Sequence, residues 1–217
     1  MTRLSSGSVP KNGDPGKVNK KAPADPGLQP AAITCVAFLR AINVGGRFVK
    51  MPRLAECFEQ LGCAAPATYL NSGNVIFRSG ARALPDLAAA LASGLEPLLG
   101  FRTEVFLRSA AEVQALTAQA ASRFPSVPAG GEVNVAFLAA PLTPEQAGNL
   151  AALCTARDEL DHAGTEIYWL CHGRQSDSTV SNAVLERRLR LRTTIRRLSM
   201  LRGLAGPLAA RSGVAAS

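Results

Sequence analysis

The stretch ATYLNSGNVIF, residues 67–77, decides how this chain folds because it joins two short apolar segments through a tight polar turn. Ala67 to Leu70 and Val75 to Phe77 have the composition of strands. Asn71-Ser72-Gly73-Asn74, which lies between them, contains residue types that tolerate positive φ. The pattern predicts a β-hairpin.

The segments on either side of the hairpin complete a βαββαβ unit. Upstream, the apolar run Ile33 to Leu39 predicts a buried strand, Asn43-Val44-Gly45-Gly46 ends it, and a helix follows from Met51 to Gly62. Downstream, a leucine stripe from Leu84 to Leu98 predicts a second helix, and a strand follows over Thr103 to Leu107. This order is typical of a ferredoxin-like unit.

The rest of the chain repeats this order less clearly. The predicted elements are a connecting helix with a Ser109/Glu112 capping box, a strand over Val133 to Ala139, a helix starting at Thr143, strands near Glu159 and over Ile167 to Cys171, a helix over Asn182 to Leu189, an extended piece near Thr193 to Arg196, and a terminal helix carrying Leu198, Leu201, Leu204 and Leu208.

The predicted fold class is therefore α+β, with two ferredoxin-like βαββαβ-type halves whose antiparallel sheets have helices packed on one face. The first half covers residues 31–108 and the second, related half covers 109–205. Residues 1–30 are rich in Pro, Gly, Lys, Asn and Ser, which predicts a disordered basic tail. Residues 206–217 are expected to form a flexible C-terminal tail.

Composition excludes several classes of protein. No apolar run approaches the roughly 20 residues that span a bilayer, and the first thirty residues lack the apolar stretch of a signal peptide. We therefore expect a cytoplasmic protein without a membrane partner. The five scattered cysteines have no CxxC spacing, and the two histidines lie in no catalytic motif. Reduced thiols, no metal site and no cofactor are expected, and enzymatic activity is left open.

The formal net charge of +8 is concentrated in two segments. Residues 31–182 contain 11 basic and 13 acidic side chains, whereas residues 183–204 contain seven arginines and one glutamate. The basic tail supplies most of the remaining excess. An arginine-rich segment can contact phosphates, so nucleic-acid binding is one alternative function.

Three segments carry a resemblance to a known family. They are FLRAINVGGR (residues 38–47) with VKM (49–51), TYLNSGNVIF (68–77), and a C-terminal set of SDS (176–178), SNAVLE (181–186), TIR (194–196) and LR (201–202). Together they resemble the bacterial family catalogued as domain of unknown function 1697. The resemblance implies a two-part α/β fold and no particular activity, substrate or cofactor. Thr179, Phe48 and Arg197 stand where the family pattern has lysine, asparagine and asparagine.

We call Asn43-Val44-Gly45-Gly46 the glycine loop and Asn71-Ser72-Gly73-Asn74 the hairpin turn. The two are predicted to share one edge of the first sheet, because the first two strands of a βαββαβ unit point the same way. Loop amides, a helix start and a guanidinium there would suit a phosphate or carboxylate. The alternative is that both loops are ordinary turns. Neither nucleotide-loop pattern, GxxxxGK[ST] or GxGxxG, is present. The candidate ligand-binding residues are Arg40, Asn43, Gly45, Gly46, Asn71, Ser72, Gly73 and Asn74.

A second polar cluster precedes the helix at Asn182. Ser176, Ser178 and Ser181 are residues that commonly cap free helix amides, and capping is the favoured interpretation. If these serines face Arg196, the cluster would instead form a second ligand site.

The leading functional hypothesis is a protein that binds a small anionic ligand at the edge formed by the glycine loop and hairpin. One alternative is nucleic-acid binding through the arginine-rich C-terminal segment. The other is a protein-interaction module that uses an open sheet edge. The oligomeric state is not determined by the sequence.

Overall fold

The computed structural model describes residues 32–46, 48–80 and 83–212. The predicted tail at 1–30 and Arg47 lie outside the described residues. The helices and strands are β1 (Ile33–Leu39), α1 (Met51–Gln60), β2 (Ala64–Thr68), β3 (Asn74–Ser79), α2 (Leu84–Leu99), β4 (Val105–Ser109), α3 (Ala110–Arg123), β5 (Glu132–Phe137), α4 (Pro144–Ala151), β6 (Asp158–Ala163), β7 (Glu166–Cys171), α5 (Asn182–Leu189), β8 (Thr194–Arg197), α6 (Leu198–Gly203) and α7 (Ala205–Ser212), with a short 3₁₀ helix at Gln175–Asp177.

The two halves have the same strand order. The first sheet is ordered β2-β3-β1-β4 and the second β6-β7-β5-β8, and all neighbouring strands are antiparallel. Helices α1 and α2 in the first half correspond to α4 and α5 in the second, and α3 connects the halves. The predicted α+β class with two similar halves is confirmed.

The two sheets pack face to face, and most helices lie outside them. On β1, Cys35 and Ala37 pack with Leu54 of α1 and Leu91 of α2, whereas Phe38 points to the other sheet. Helices α4 and α5 cover the second sheet in the same way. Each sheet therefore has a helical layer on its outer face, as predicted. Its inner face meets the other sheet, with α3, α6 and α7 packed against that shared core.

The halves meet through equivalent residues. The rings of Phe38 and Phe137 stack with centroids 4.1 Å apart and an interplanar angle of 12°. Two positions before each phenylalanine, a valine lies opposite an arginine on the neighbouring strand. These arginines are Arg108 on β4 and Arg196 on β8.

Arg108 reaches from the first half into the second. Its Nε donates to Glu166 Oε1 at 2.5 Å, and its Nη2 donates to the carbonyls of Leu138 and Thr165 at 3.1 and 2.9 Å. The Arg108 and Glu166 side chains are both largely buried. A buried, multiply bonded guanidinium thus joins the halves. Separation that left either charged partner buried and unpaired would cost several kcal/mol, on the order of 3–5.

The C-terminal segment is helical beyond residue 206, where the flexible tail was predicted to begin. Helix α7 runs through Ser212, and its Leu208 is 1% exposed and packs in the core between the sheets. The boundary at residue 206 therefore falls inside a helix, because the leucine spacing that begins at Leu198 extends to Leu208. Within the described part of the chain, no helix is both long and apolar enough to cross a membrane.

Candidate functional site

The glycine loop and the hairpin turn meet at one corner of the first sheet, as the topology predicted. Asn43 Nδ2 donates to the carbonyl of Asn71 at 3.2 Å, and Asn43 Oδ1 accepts from the amide of Val49 at 2.8 Å. The amide of Leu39 donates to the carbonyl of Gly73 at 2.8 Å. The asparagine side chain therefore links the two loops.

The glycines of this corner serve different backbone needs. Gly73 has φ +69°, and a Cβ atom at this position would lie 2.9 Å from Ile42 Cβ, a distance that forces a shift. Gly45 and Gly46 also have positive φ, but a Cβ atom on either would meet open space. Backbone geometry accounts for all three without a ligand.

Arg40 is held by carboxylates from both halves. Its Nε and Nη2 donate to Glu186 of α5 at 2.6 and 2.7 Å, and its Nη1 donates to Glu104 at 3.4 Å. The hydrogen bond to Glu186 raises the pKa of Arg40. Burial opposes ionisation of Glu186, but the bonds from Arg40 and the Thr193 amide lower its pKa below 4.5. The predicted anion-binding guanidinium is thus already neutralised.

Arg196 lies at this corner, not beside the serines. Its Nε donates to Asn74 Oδ1 at 2.6 Å, and its Nη2 donates to the carbonyls of Leu39 and Ser72, both at 2.9 Å. These contacts mirror those of Arg108, except that neutral Asn74 stands where Glu166 pairs with Arg108. Burial lowers the pKa of Arg196 to about 10. The conditional pairing of Arg196 with the serine cluster is wrong, because its strand directs the side chain between the sheets.

Asn74 belongs to strand β3 and not to the turn. It is fully buried, and its Nδ2 donates to the Tyr69 carbonyl at 2.9 Å and to Ser72 Oγ at 2.8 Å. The corner thus uses its polar groups to join its own loops and the two halves. Three large apolar side chains, Val44, Phe48 and Leu70, are exposed at the corner.

The three predicted serines have separate hydrogen-bond partners. Ser181 Oγ accepts from the amide of Val184 at 3.3 Å and caps α5, as predicted. Ser178 Oγ donates to Asp158 Oδ1 at 2.7 Å, and Ser176 Oγ donates to Asp177 Oδ1 at 3.0 Å. Capping is therefore confirmed for one serine only.

The same serines line an open pocket of about 690 Å³, which we call the serine pocket. Its lining consists of Gly130, Glu132, Gly173, Arg174, Gln175, Ser176, Ser178, Val180, Ser181 and Arg197. Arg197 Nε pairs with Glu132 Oε1 at 3.1 Å, whereas Arg174 has no ion pair among the residues that the structure describes. Three serine hydroxyls and two guanidinium groups therefore line one concave surface.

A buried carboxylate supports the wall of the serine pocket. Asp158 is 1% exposed, and its Oδ1 accepts from Trp169 Nε1 at 2.8 Å as well as from Ser178 Oγ. The bond from Ser178 holds that hydroxyl against Asp158, and the two bonds together compensate for burial of the carboxylate.

A second cavity, of about 490 Å³, lies at the C-terminal end of α5. Arg187, Arg190 and Arg192 line it together with Glu186. Arg192 Nη1 lies 3.5 Å from Glu186 Oε2. We call this surface the arginine cavity.

The cysteines and histidines form no reactive group in the described ranges. All five thiols are free, and burial raises the pKa of Cys35 and of Cys63 to about 11. His172 Nε2 contacts Glu159 on the surface. No cluster of His, Cys, Asp and Glu that could hold a metal ion occurs within residues 32–46, 48–80 and 83–212.

Comparison with known families gives a match over most of the chain. The family described as "Protein of unknown function (DUF1697)" matches residues 33–168. The chain belongs to this family.

One solved structure supports the DUF1697 fold. It is described as "The structure of conserved bacterial protein SP0830 from Streptococcus pneumoniae", and it superposes with a TM-score of 0.59 at 21% identity. The match covers 82% of this chain and 99% of that one. At this identity the likeness shows the fold alone. No curated protein matches this chain.

Two of the three departures from the DUF1697 pattern lie at or beside the serine pocket. Arg197 lines the pocket, and Thr179 is an exposed residue between two residues that line it. Phe48, the third departure, is 76% exposed at the corner.

Three residues near the serine pocket were missed as site residues. Arg174 lies in a loop without a motif, and Arg197 was noted only as a departure from the family pattern. Asn134 is a polar residue in the buried strand β5. A polar residue at a core position is unusual, and it is visible in the sequence. A check for polar residues inside predicted core strands could have found it.

Proposed function

We propose that this protein binds a small anionic ligand in the serine pocket. The single observation that carries the proposal is the convergence of Arg174 and Arg197 with the three serine hydroxyls on one concave surface. Guanidinium groups bind phosphate and carboxylate oxygens. The Ser181 hydroxyl accepts the cap bond through its oxygen and can donate its hydrogen to an anion, whereas Ser176 and Ser178 donate theirs to Asp177 and Asp158. The volume of about 690 Å³ lies within the roughly 300–1,000 Å³ of small-molecule sites.

The charge balance favours the serine pocket over the corner. At the corner, Arg40 is paired with Glu186 and Glu104, so an anion there would have to compete with two carboxylates. Among the described residues that line the serine pocket, Glu132 is the one carboxylate, and it stands beside two arginines. Binding at the corner stays a prediction, and Arg40→Ala variants test it separately.

A thermal-shift screen with phosphosugars, nucleotides and dicarboxylates tests the proposal. A ligand that binds the native state raises the melting temperature, by an amount equivalent to about 2.7 kcal/mol at one hundred times Kd. We expect Arg174→Gln and Arg197→Gln to abolish the shift. Arg102→Gln is the matched control, because Arg102 Nε also forms an exposed pair with a glutamate, Glu96, in the other half.

Two results would contradict anion binding in the serine pocket. One is a screen without any stabilising compound. The other is a ligand-induced shift that Arg102→Gln reduces as much as Arg197→Gln does, since the effect would then follow net charge and not the pocket.

The arginine cavity supports nucleic-acid binding as a second candidate function. Arg187, Arg190 and Arg192 face one cavity, an arrangement suited to successive phosphates. A gel-shift titration at two salt concentrations should show affinity that falls steeply with salt. It should also show weaker binding by the Arg187→Ala, Arg190→Ala double variant than by a variant with Arg102→Gln alone. Equal binding by these variants would contradict this function.

We also propose that each half is a ferredoxin-like unit and that the protein works in the cytoplasm. The split order β2-β3-β1-β4, repeated in the second half, supports the first statement. Five free cysteines, four of them buried, support the second, because disulfides are rare in the cytoplasm. Pairing of a partner with an open sheet edge stays a prediction.

A further inference from the structure

Asn134 is a buried amide without a hydrogen-bond partner. It is 1% exposed, and neither its Oδ1 nor its Nδ2 bonds any residue in the described part of the chain. A buried polar group left unpaired costs about 1–3 kcal/mol, so an unpaired carboxamide in a strand core calls for an explanation. A leucine of similar size would fit this apolar layer better.

The position of Asn134 connects it to the serine pocket. Its partner on β8 is Arg197, and Glu132 lies two residues earlier on the same strand and so on the same face. Both of these neighbours line the pocket. Directly opposite residues have Cβ atoms about 4.5–5.5 Å apart, so Asn134 is a close neighbour of Arg197 across the two strands.

The other neighbour of Asn134 leads to the same pocket. Its partner on β7 is Trp169, whose indole donates to Asp158, and Asp158 also accepts from Ser178 of the pocket wall. Asn134 is therefore flanked by Arg197, which lines the serine pocket, and by Trp169, which is linked to Ser178 of the pocket through Asp158.

The Glu132–Arg197 ion pair is weak enough to open. The Arg197 side chain is 63% exposed and that of Glu132 is 23% exposed, and exposed pairs contribute about 0–1 kcal/mol. An anion that binds Arg197 competes directly with Glu132. Arg197, the strand partner of Asn134, is thus available to a bound anion.

We infer that Asn134 binds the nucleobase of a nucleoside monophosphate whose phosphate is held by Arg174 and Arg197. This inference rests on the proposed function. A carboxamide presents one acceptor and one donor group side by side, which matches the donor–acceptor edge of a nucleobase. Binding would satisfy both atoms of Asn134, so the carboxamide gives specificity at the expense of stability in the free protein.

The test compares the four ribonucleoside 5′-monophosphates with ribose 5-phosphate, which has the same phosphate and sugar but no base. Calorimetric titration of the full chain should show at least one nucleotide binding about tenfold or more tightly than ribose 5-phosphate, since a bidentate contact to a base gives that much discrimination. Asn134→Leu should bring the two affinities together. It should also raise the melting temperature of the free protein.

The outcomes separate this inference from the proposed function. If nucleotides and ribose 5-phosphate bind equally and Arg197→Gln abolishes both, the pocket binds anions and the role of Asn134 is overturned. Discrimination that survives in Asn134→Leu overturns it as well. If none of these probes binds but another anion stabilises the protein through Arg197, the nucleotide assignment alone fails. If no anion binds at all, both proposals fail. Asn134→Ala repeats the test if the leucine variant does not fold.

Discussion

Gly73 and Gly46 both have positive φ, but only Gly73 lies against another side chain. A Cβ atom at Gly73 would approach Ile42 Cβ to 2.9 Å, whereas Gly46 faces open space. We therefore expect Gly46→Ala to lower the free energy of unfolding by about 1 kcal/mol, the cost of a left-handed backbone. Gly73→Ala should cost clearly more, about 2–4 kcal/mol, because steric overlap adds to it. Urea unfolding of the two variants measures the difference, and equal losses would contradict the close packing of the corner.

Glu186 gives the corner a pH-dependent contribution to stability. Its pKa is lowered in the folded protein, so this contribution is present above its usual pKa of 4.5 and is lost as the pH falls through the lower folded value. Glu186→Gln should lower the unfolding free energy by about 1–3 kcal/mol at pH 7, since it removes charged hydrogen bonds to Arg40.

The loss caused by Glu186→Gln should shrink as the pH falls below 4.5, where Glu186 of the unfolded chain takes up a proton, and should vanish once the pH has fallen through the lower folded pKa. Glu104→Gln is the control, because Glu104 is 43% exposed and its contact with Arg40 is 3.4 Å long. Its loss should stay below about 1 kcal/mol. A Glu186→Gln effect that is constant from pH 7 to pH 3 would contradict this account of the pair.

At the scale of elements, helix α5 links capping to the serine pocket. Ser181 caps the helix and also lines the pocket. Ser181→Ala should lower the unfolding free energy by about 1 kcal/mol, whereas Ser181→Asp should keep the cap. The new carboxylate should nevertheless weaken an anionic ligand because it adds a negative charge to the pocket. Melting temperature and ligand-induced shift measure the two effects separately, and unchanged ligand binding in Ser181→Asp would contradict an anion site there.

Elements with strong local signals were predictable from the sequence. The capping box predicted for α3 forms, with Glu112 bonding back to the N-cap amide. Helix α4 starts at Thr143 as predicted, and Gln146 bonds back to the Thr143 amide. Helix α5 has the predicted bounds. The edge strand β6 was predicted weakly, because its sequence DELDHA lacks the apolar alternation of a strand. Pairing with β7 over its full length forms this strand, and such pairing is not a local property.

At the scale of the whole molecule, the face-to-face packing of the sheets predicts cooperative unfolding. The Phe38–Phe137 stack and the buried Arg108–Glu166 pair both cross between the halves. Fluorescence of the single tryptophan, Trp169, reports on the second half, whereas far-UV circular dichroism reports on both. The two urea transitions should coincide.

Phe137→Ala should lower the stability of the whole protein by about 3–5 kcal/mol and shift both urea transitions together. Leu150→Ala is a control core variant, since Leu150 of α4 packs against the outer face of the second sheet and away from the contact between halves. Two separate transitions in the wild type, or a Phe137→Ala effect on the fluorescence transition alone, would contradict a single cooperative unit.

The candidate site was harder to predict than the fold because it depends on how the halves meet. Topology placed the glycine loop beside the hairpin, and Asn43 bonds Asn71 as that argument requires. The topology of one half does not reveal that Glu186 from the other half neutralises Arg40. Alternation along β8 likewise decides that Arg196 lies between the sheets while Arg197 lines the serine pocket. A shift of one residue in the pairing of β8 would exchange the faces of Arg196 and Arg197, and a single sequence does not determine that pairing to one residue.

The measurement that tests the central claim most directly is an amide NMR titration of the full chain with the anion that gives the largest thermal shift. Binding in the serine pocket predicts that the largest chemical-shift changes occur at its lining amides, namely Gly173, Arg174, Gln175, Ser176, Ser178 and Ser181. Changes confined to the corner at Gly45, Gly46 and Ser72, or to the arginine cavity at residues 187–192, would contradict it.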